Sequence, residues 1–485
     1  MKKNEKVSLA TKLFFGAGDI FGGGAFNIVN FFYAIFLTDV VKLNMVYVAP
    51  IFLIGKVWDA VTDPFMGQIS DHTRTRWGRR RPYFLAGIGL IFLSFFLLWF
   101  PVDFAGQGGR FAYVLGAYLF FNTVVTLVMV PYQAMTAEIS LDYHERTSIN
   151  SIRLIFSLGS SLVCALFPMM IVNRFSPDVR TGYIVMALVF GVLFALPWIG
   201  VFAVSKERKE FQGGSRGFSL KQMIVQPLQI KCFRQLLWMF MAAYLSMDIV
   251  SMIFAYYMKY YLVKPNLLPL VLGTLLAVEI LAIPLYAMIA KRTSKTRAYI
   301  IGSLVWSVGG VMVFFLPATA PSWTIFAMAA LIGAGVSAAA VMPHTIFGDV
   351  TDVGELAFGE RREGNFSGLI TFARKLASGV AIALVTAILG WMGYLNPVET
   401  VENGVRTVTE QVQPSGVLLA IRIVLAFVPI ALLVVGIWAA SRFPLDSKTH
   451  GELIAFLGKQ RQKGKGKKTD PSSEAEREAL VRKLV

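Results

Sequence analysis

The chain has 485 residues, of which 56% are hydrophobic and 15% charged, whereas soluble globular proteins carry roughly one-quarter charged residues. That balance excludes intrinsic disorder, a collagenous rod and a coiled coil, and two cysteines, Cys164 and Cys232, exclude a disulfide-stapled scaffold. The net charge of +17 calls for an anionic partner, and its placement along the chain decides which kind.

The opening MKKNEK has the basic character of a signal peptide. The apolar stretch after it holds Asp19 and Gly22-Gly23-Gly24 without a small-residue cleavage site, so it reads as an uncleaved first membrane helix. About 20 apolar residues span the hydrocarbon core as a helix. Segments of that kind follow one another near 11–38, 45–69, 82–101, 111–135, 152–172 and 182–204, then near 236–262, 266–290, 298–317, 323–347, 366–393 and 415–441. The expected fold class is an all-α membrane protein with twelve transmembrane helices. MGQISDHTRTRWGRRRPY follows the second segment and AMIAKRTSKTRAYI follows the eighth, so short basic turns recur six helices apart. This spacing predicts two six-helix bundles of the major facilitator type. The expected division is an N-terminal bundle over 1–204, a cytoplasmic middle loop over 205–235, a C-terminal bundle over 236–442 and a mobile basic tail over 443–485.

Alternating the loops with the N-terminus inside leaves only Lys42, Arg110, Arg174, Arg180, Lys259, Lys264, Arg406 and Arg422 outside, out of 46 Lys and Arg residues. Lys56 sits within the second segment. Both termini are therefore expected in the cytoplasm, in a multi-pass protein of the cell (inner) membrane. The positive charge is a topology signal with an attraction to anionic membrane lipid, and nucleic-acid binding is not expected.

The second segment reads IFLIGKVWDAVTDPFMG. Asp59 and Asp63 are four residues apart, one above the other on a helix face that Lys56 shares. A charge in hydrocarbon costs at least about 2.5–3.5 kcal/mol, and two acids exceed what one lysine neutralises. A monovalent cation would be held by the two carboxylates with hydroxyl oxygen from Thr62 and a facing residue such as Thr126. A Lys56–carboxylate pair is the structural alternative. Asp19, Gly23 and Asn27 form a polar, small-residue stripe that suits either helix packing or solute contact. Asp248, Glu279 and His344 are further intramembrane polar groups, His344 reading as a packing residue. Lys375 either lines the cavity or snorkels to the inner surface beside Arg374. The chain carries no Walker A, HExxH or GxSxG motif, so an enzyme is not expected and transport energy must come from an ion gradient or the solute itself.

LATKLFFGAGD, WDAVTDPFMG, RWGRRRPY, ERTSINSIR, DVTDVGE and GERREGNFSGL occur in that order. Together they resemble the glycoside–pentoside–hexuronide:cation symporters, over about residues 9–440. The resemblance implies symport of a small solute, a sugar, glycoside or hexuronide, coupled to Na⁺ or H⁺ (Li⁺ possible), without another cofactor. It places the cation at Asp59, Asp63, Thr62 and Thr126, Thr62 standing where galactoside carriers have asparagine. Two sugar-binding aspartates of those carriers fall at Gly23 and Met129, and their tryptophan falls at Gln133. Arg153 and Lys375 match the family's arginine and lysine, so the implied solute residues are Asp19, Gln133, Arg153 and Lys375. With two carboxylates missing, the cavity is expected to lean positive and favour an anionic solute, unless Asp19 offsets it. Arg146, Asp349, Asp352 and Arg361 match the family's inner charged lock; ordinary solvated loop charges are the alternative reading of them. The superfamily also includes carriers of lysophospholipid-like amphiphiles, which an apolar Met129 and a cationic Lys375 would suit.

Overall fold

The computed structural model describes residues 7–139, 143–205, 220–359, 363–402, 405–409, 411–463 and 471–484. Among them, twelve helices are long and apolar enough to cross a membrane. They are α1 Leu9–Asp39, α2 Met45–Ser70, α3 Arg81–Leu98, α4 Gln107–Thr136, α5 Ser148–Arg174 and α6 Val179–Val204. The second set is α7 Lys231–Tyr261, α8 Pro265–Arg292, α9 Lys295–Phe315, α10 Ser322–Phe358, α11 Phe366–Trp391 and α12 Ser415–Ser441. The all-α expectation holds, apart from one hairpin after α11 in which β1 (Val398–Glu402) pairs antiparallel with β2 (Val405–Thr409).

Helix limits follow from local chemistry. The side chains of Ser8, Asn44, Asp178 and Ser294 accept hydrogen bonds from the backbone N–H groups of Thr11, Val46, Thr181 and Arg297, which satisfies first-turn donors. Asp178 lies outside the spans, and the Thr181 hydroxyl and N–H hold its carboxyl below the usual range. α10 stops at Gly359, whose φ of +72° is in the left-handed region that glycine tolerates best. α1 and α7 each widen into a five-residue π-helical segment, Val29–Tyr33 and Tyr257–Tyr261.

The chain forms two compact units. The first comprises Met1–Arg216, Ser251–Leu276 and Gly379–Arg422; the second comprises Gly217–Val250, Ala277–Ser378 and Ile423–Val485. The first unit thus takes in the expected outer ends of α7, α8, α11 and α12 along with the whole N-terminal half. In it, α1 lies directly on α5, because a side chain at Gly23 or Gly24 would overlap Ser157 or Ser160. Small residues permit this backbone approach, which gives dispersion contact where lipid supplies no hydrophobic drive. Tyr33 and Tyr118 stack with centroids 5.6 Å apart, and Trp99 stacks on Tyr183 at 5.8 Å, filling the interior of the same unit. In the second unit, α9 and α10 pack with Gly335 against the Trp306 backbone.

The tail corrects the expectation of a mobile segment. Ser447–Lys463 and Pro471–Leu484 are helices of the second unit. Asp446 caps the first by accepting from the Thr449 N–H at 2.8 Å, and Leu453, Phe456 and Leu457 form a buried stripe at helical spacing. The Cys232 thiol donates to the Leu484 carbonyl at 3.2 Å, whereas Cys164 lies buried beside Gly24 and Ser160.

Candidate cation and solute sites

α2 places Asp59 and Asp63 one turn apart, as the spacing predicts. Asp59 is 3% exposed and Asp63 half-buried. The Thr126 hydroxyl of α4 donates to Asp63 Oδ1 at 2.7 Å. The Thr62 hydroxyl donates to the Asp59 carbonyl at 3.5 Å, back along its own helix, which leaves its oxygen lone pairs for a ligand role. Lys56 Nζ stands 6.0 Å from the Phe26 ring centroid, and Gly379 of α11 leaves room for the Lys56 stem, since a Cβ there would meet Lys56 Cβ at 2.6 Å. The result is an oxygen-rich face of two carboxylates and a hydroxyl, of the donor type that hard cations take.

Three of the expected solute residues, Asp19, Gln133 and Arg153, belong to the first unit. Arg153 forms a fork on Asp19, with Nε 2.5 Å from Oδ2 and Nη2 3.3 Å from Oδ1. The same guanidinium donates to Thr136 Oγ1 at 2.7 Å and lies 4.5 Å from the Tyr132 ring centroid. The Tyr132 hydroxyl in turn donates to the Phe15 carbonyl at 2.7 Å. Asp19 and Arg153 therefore compensate each other, and the guanidinium counted towards a positive cavity is offset. Gln133 is exposed on α4, next to Tyr132. Met129 is buried against Gly22. Lys375 is half-buried and belongs to the second unit. Gly23 serves packing, as the Ser157 contact shows.

The two acids of the expected inner lock have partners within the second unit. Lys295 donates to Asp349 Oδ2 at 2.6 Å, and His450 of the tail lies 3.2 Å from Asp352 Oδ2. Both partners belong to the second unit. Arg361 and the side chain of Arg146 lie outside the described residues.

A second polar cluster, not anticipated from the sequence, joins α1 to residues from the C-terminal half within the first unit. Asp39, 7% exposed, accepts from Lys259 Nζ at 2.5 Å and from the Tyr260 and Tyr394 hydroxyls at 2.7 Å each. Thr38 Oγ1 donates to Asp39 Oδ1 at 2.7 Å and lies 3.2 Å from the Tyr256 hydroxyl. Asn396 adds a bond to the Leu43 carbonyl at 2.9 Å. The π-helical segment of α7 carries Lys259 and Tyr260 in this cluster, a common use of such segments. The signal was an acid and a lysine at the C-terminal ends of two distant spans, α1 and α7, which sequence spacing alone does not pair.

A family described as MFS/sugar transport protein matches residues 14–447. The isoprimeverose transporter of Lactiplantibacillus pentosus is 25% identical, across 76% of this chain and 78% of its own. Sodium-dependent lysophosphatidylcholine symporter 1 of Gallus gallus is 26% identical, across 98% and 93%. The xylose transporter XylE from E. coli, in an inward open conformation, superposes with a TM-score of 0.60 at 15% identity, covering 92% of this chain and 98% of that one. That likeness establishes the twelve-helix fold alone.

Proposed function

The chain belongs to the MFS/sugar transport protein family, and from that premise we propose that it is a symporter moving a sugar or glycoside together with Na⁺ or H⁺ by alternating access. The observation that carries the coupling ion is the Asp63–Thr126 bond, which orients a carboxylate of the Asp59/Asp63 pair with a hydroxyl beside it. A bound cation or proton balances charge that would otherwise cost several kcal/mol in an apolar bundle. The sugar reading draws on the isoprimeverose relative, and it includes a chain that crosses the cell membrane with both termini inside, as the placement of Lys and Arg supports. In this reading, residues 1–204 and 236–442 are the two bundles, and the inner gate includes Asp349 and Asp352.

A second cargo, a lysophospholipid-like amphiphile, draws on the lysophosphatidylcholine relative, which aligns with 98% of this chain, and on the apolar Met129. Proteoliposomes decide between them. Labelled isoprimeverose should accumulate above its external concentration under an inward Na⁺ or proton gradient and equilibrate without one. Gradient-driven uptake of lysophosphatidylcholine with no sugar accumulation would replace the first reading by the second.

A further inference from the structure

Four helices of the second unit bring polar side chains together at a place to which no role has yet been given. Tyr244 and Asp248, one turn apart on α7, face His344 of α10 and Arg374 and Ser378 of α11. The Tyr244 hydroxyl is 2.6 Å from His344 Nε2. The Arg374 guanidinium carbon stands 4.1 Å from the Tyr244 ring centroid. Ser378 Oγ donates to Asp248 Oδ2 at 2.6 Å. Glu279 of α8 lies within electrostatic reach of Tyr244 and has no hydrogen-bond or ion-pair partner among the described residues. His344 is exposed and Tyr244, Glu279 and Arg374 are half-buried, so one side of the cluster is accessible. Packing alone accounts poorly for this. An intramembrane carboxyl without a partner is costly, and such groups mark solute or ion pathways.

The chemistry of the cluster selects its ligand. Around Tyr244 stand two carboxyl groups, Asp248 and Glu279, and one guanidinium, Arg374, so among these side chains an added anion meets more negative than positive charge. An apolar chain would leave Glu279 and the free histidine nitrogen without partners, at about 1–3 kcal/mol each. A ring bearing several hydroxyls satisfies the accessible groups: its O–H groups donate to Glu279, its oxygens accept from Arg374 and His344, and the buried Asp248–Ser378 pair lies behind them. We infer that Tyr244, Asp248, Glu279, His344, Arg374 and Ser378 form a subsite for a neutral polyhydroxylated ring. The inference rests on the sugar reading above and narrows it, away from uronates. The Asp19–Arg153 pair agrees with it, since the N-terminal half offers no uncompensated guanidinium there to attract an anion.

Calorimetry on the purified full chain in detergent, with Na⁺ present, tests this using p-nitrophenyl β-D-xyloside and p-nitrophenyl β-D-glucuronide. The two probes differ in the ring carboxylate. The parent should bind the xyloside at least tenfold more tightly. Glu279→Gln and Tyr244→Phe should each weaken xyloside binding about tenfold or more, while Na⁺ binding by the sugar-free protein, which also reports folding, stays at the parent value. Tighter binding of the glucuronide, or variants that bind the xyloside like the parent, overturns the subsite and leaves the sugar reading standing. A parent that binds Na⁺ and neither glycoside removes the sugar reading, and this subsite with it.

Discussion

Two buried acid sites in the first unit solve the same problem in opposite ways. Asp19 on α1 meets Arg153 on α5 in a two-pronged fork backed by Thr136. Its charge is cancelled by a group that is part of the chain. Asp63 on α2 meets the Thr126 hydroxyl, with Asp59 one turn earlier and Lys56 on the same helix. We propose that an ion or proton that can arrive and depart completes the balance of this acid pair. On that proposal, a permanent counter-charge makes the first site a structural joint, and an exchangeable one makes the second a coupling site.

The comparison breaks most visibly at the exchangeable site. Asp59→Cys and Asp63→Cys should each reduce gradient-driven accumulation in proteoliposomes to background, while downhill solute exchange persists in part. Full accumulation by Asp63→Cys would move the coupling ion elsewhere. At the permanent site, removing one partner strands the other: Arg153→Ala should destabilise the protein by about 3–5 kcal/mol. Thermal unfolding should show most of that loss restored in the double variant Asp19→Leu/Arg153→Leu, and no restoration would mean that the fork does more than cancel charge. Thr126→Val tests whether the hydroxyl belongs to the cation site. Loss of a hydroxyl ligand should weaken Na⁺ affinity about tenfold or more in titrations, whereas proton binding at Asp63 should tighten, because the lost bond favours the ionised carboxylate. The smallest effect concerns the Asp39 cluster, which joins α1 to α7 and Tyr394. Asp39→Asn should favour the state without those bonds by a few-fold, read as faster hydrogen exchange at the ends of α1 and α7. Unchanged exchange would make this cluster a permanent joint of the first kind.

The twelve spans were legible because a bilayer demands long apolar runs, and the acid pair because four-residue spacing fixes a shared face. Partners were less so. Asp19 finds Arg153 across 134 positions through the approach of α1 to α5, and no local pattern announces which helices touch. Asp39 and Lys259 lie near span ends, where charges ordinarily reach for water, so their union with Tyr260 and Tyr394 was hidden. The tail's Leu453, Phe456 and Leu457 stripe was present in the sequence but outweighed by the lysines that follow it.

The two thiols have a practical consequence. Cys164 and Cys232 are both fully buried, one under α1 and the other beneath the C-terminal helix. Water-soluble maleimides should therefore pass over the folded parent. A single cysteine introduced on an exposed position can carry a spectroscopic probe without first replacing either native thiol, so distance changes during the transport cycle can be followed in otherwise unaltered protein. Reaction of Cys232 would itself report that the tail helix had lifted.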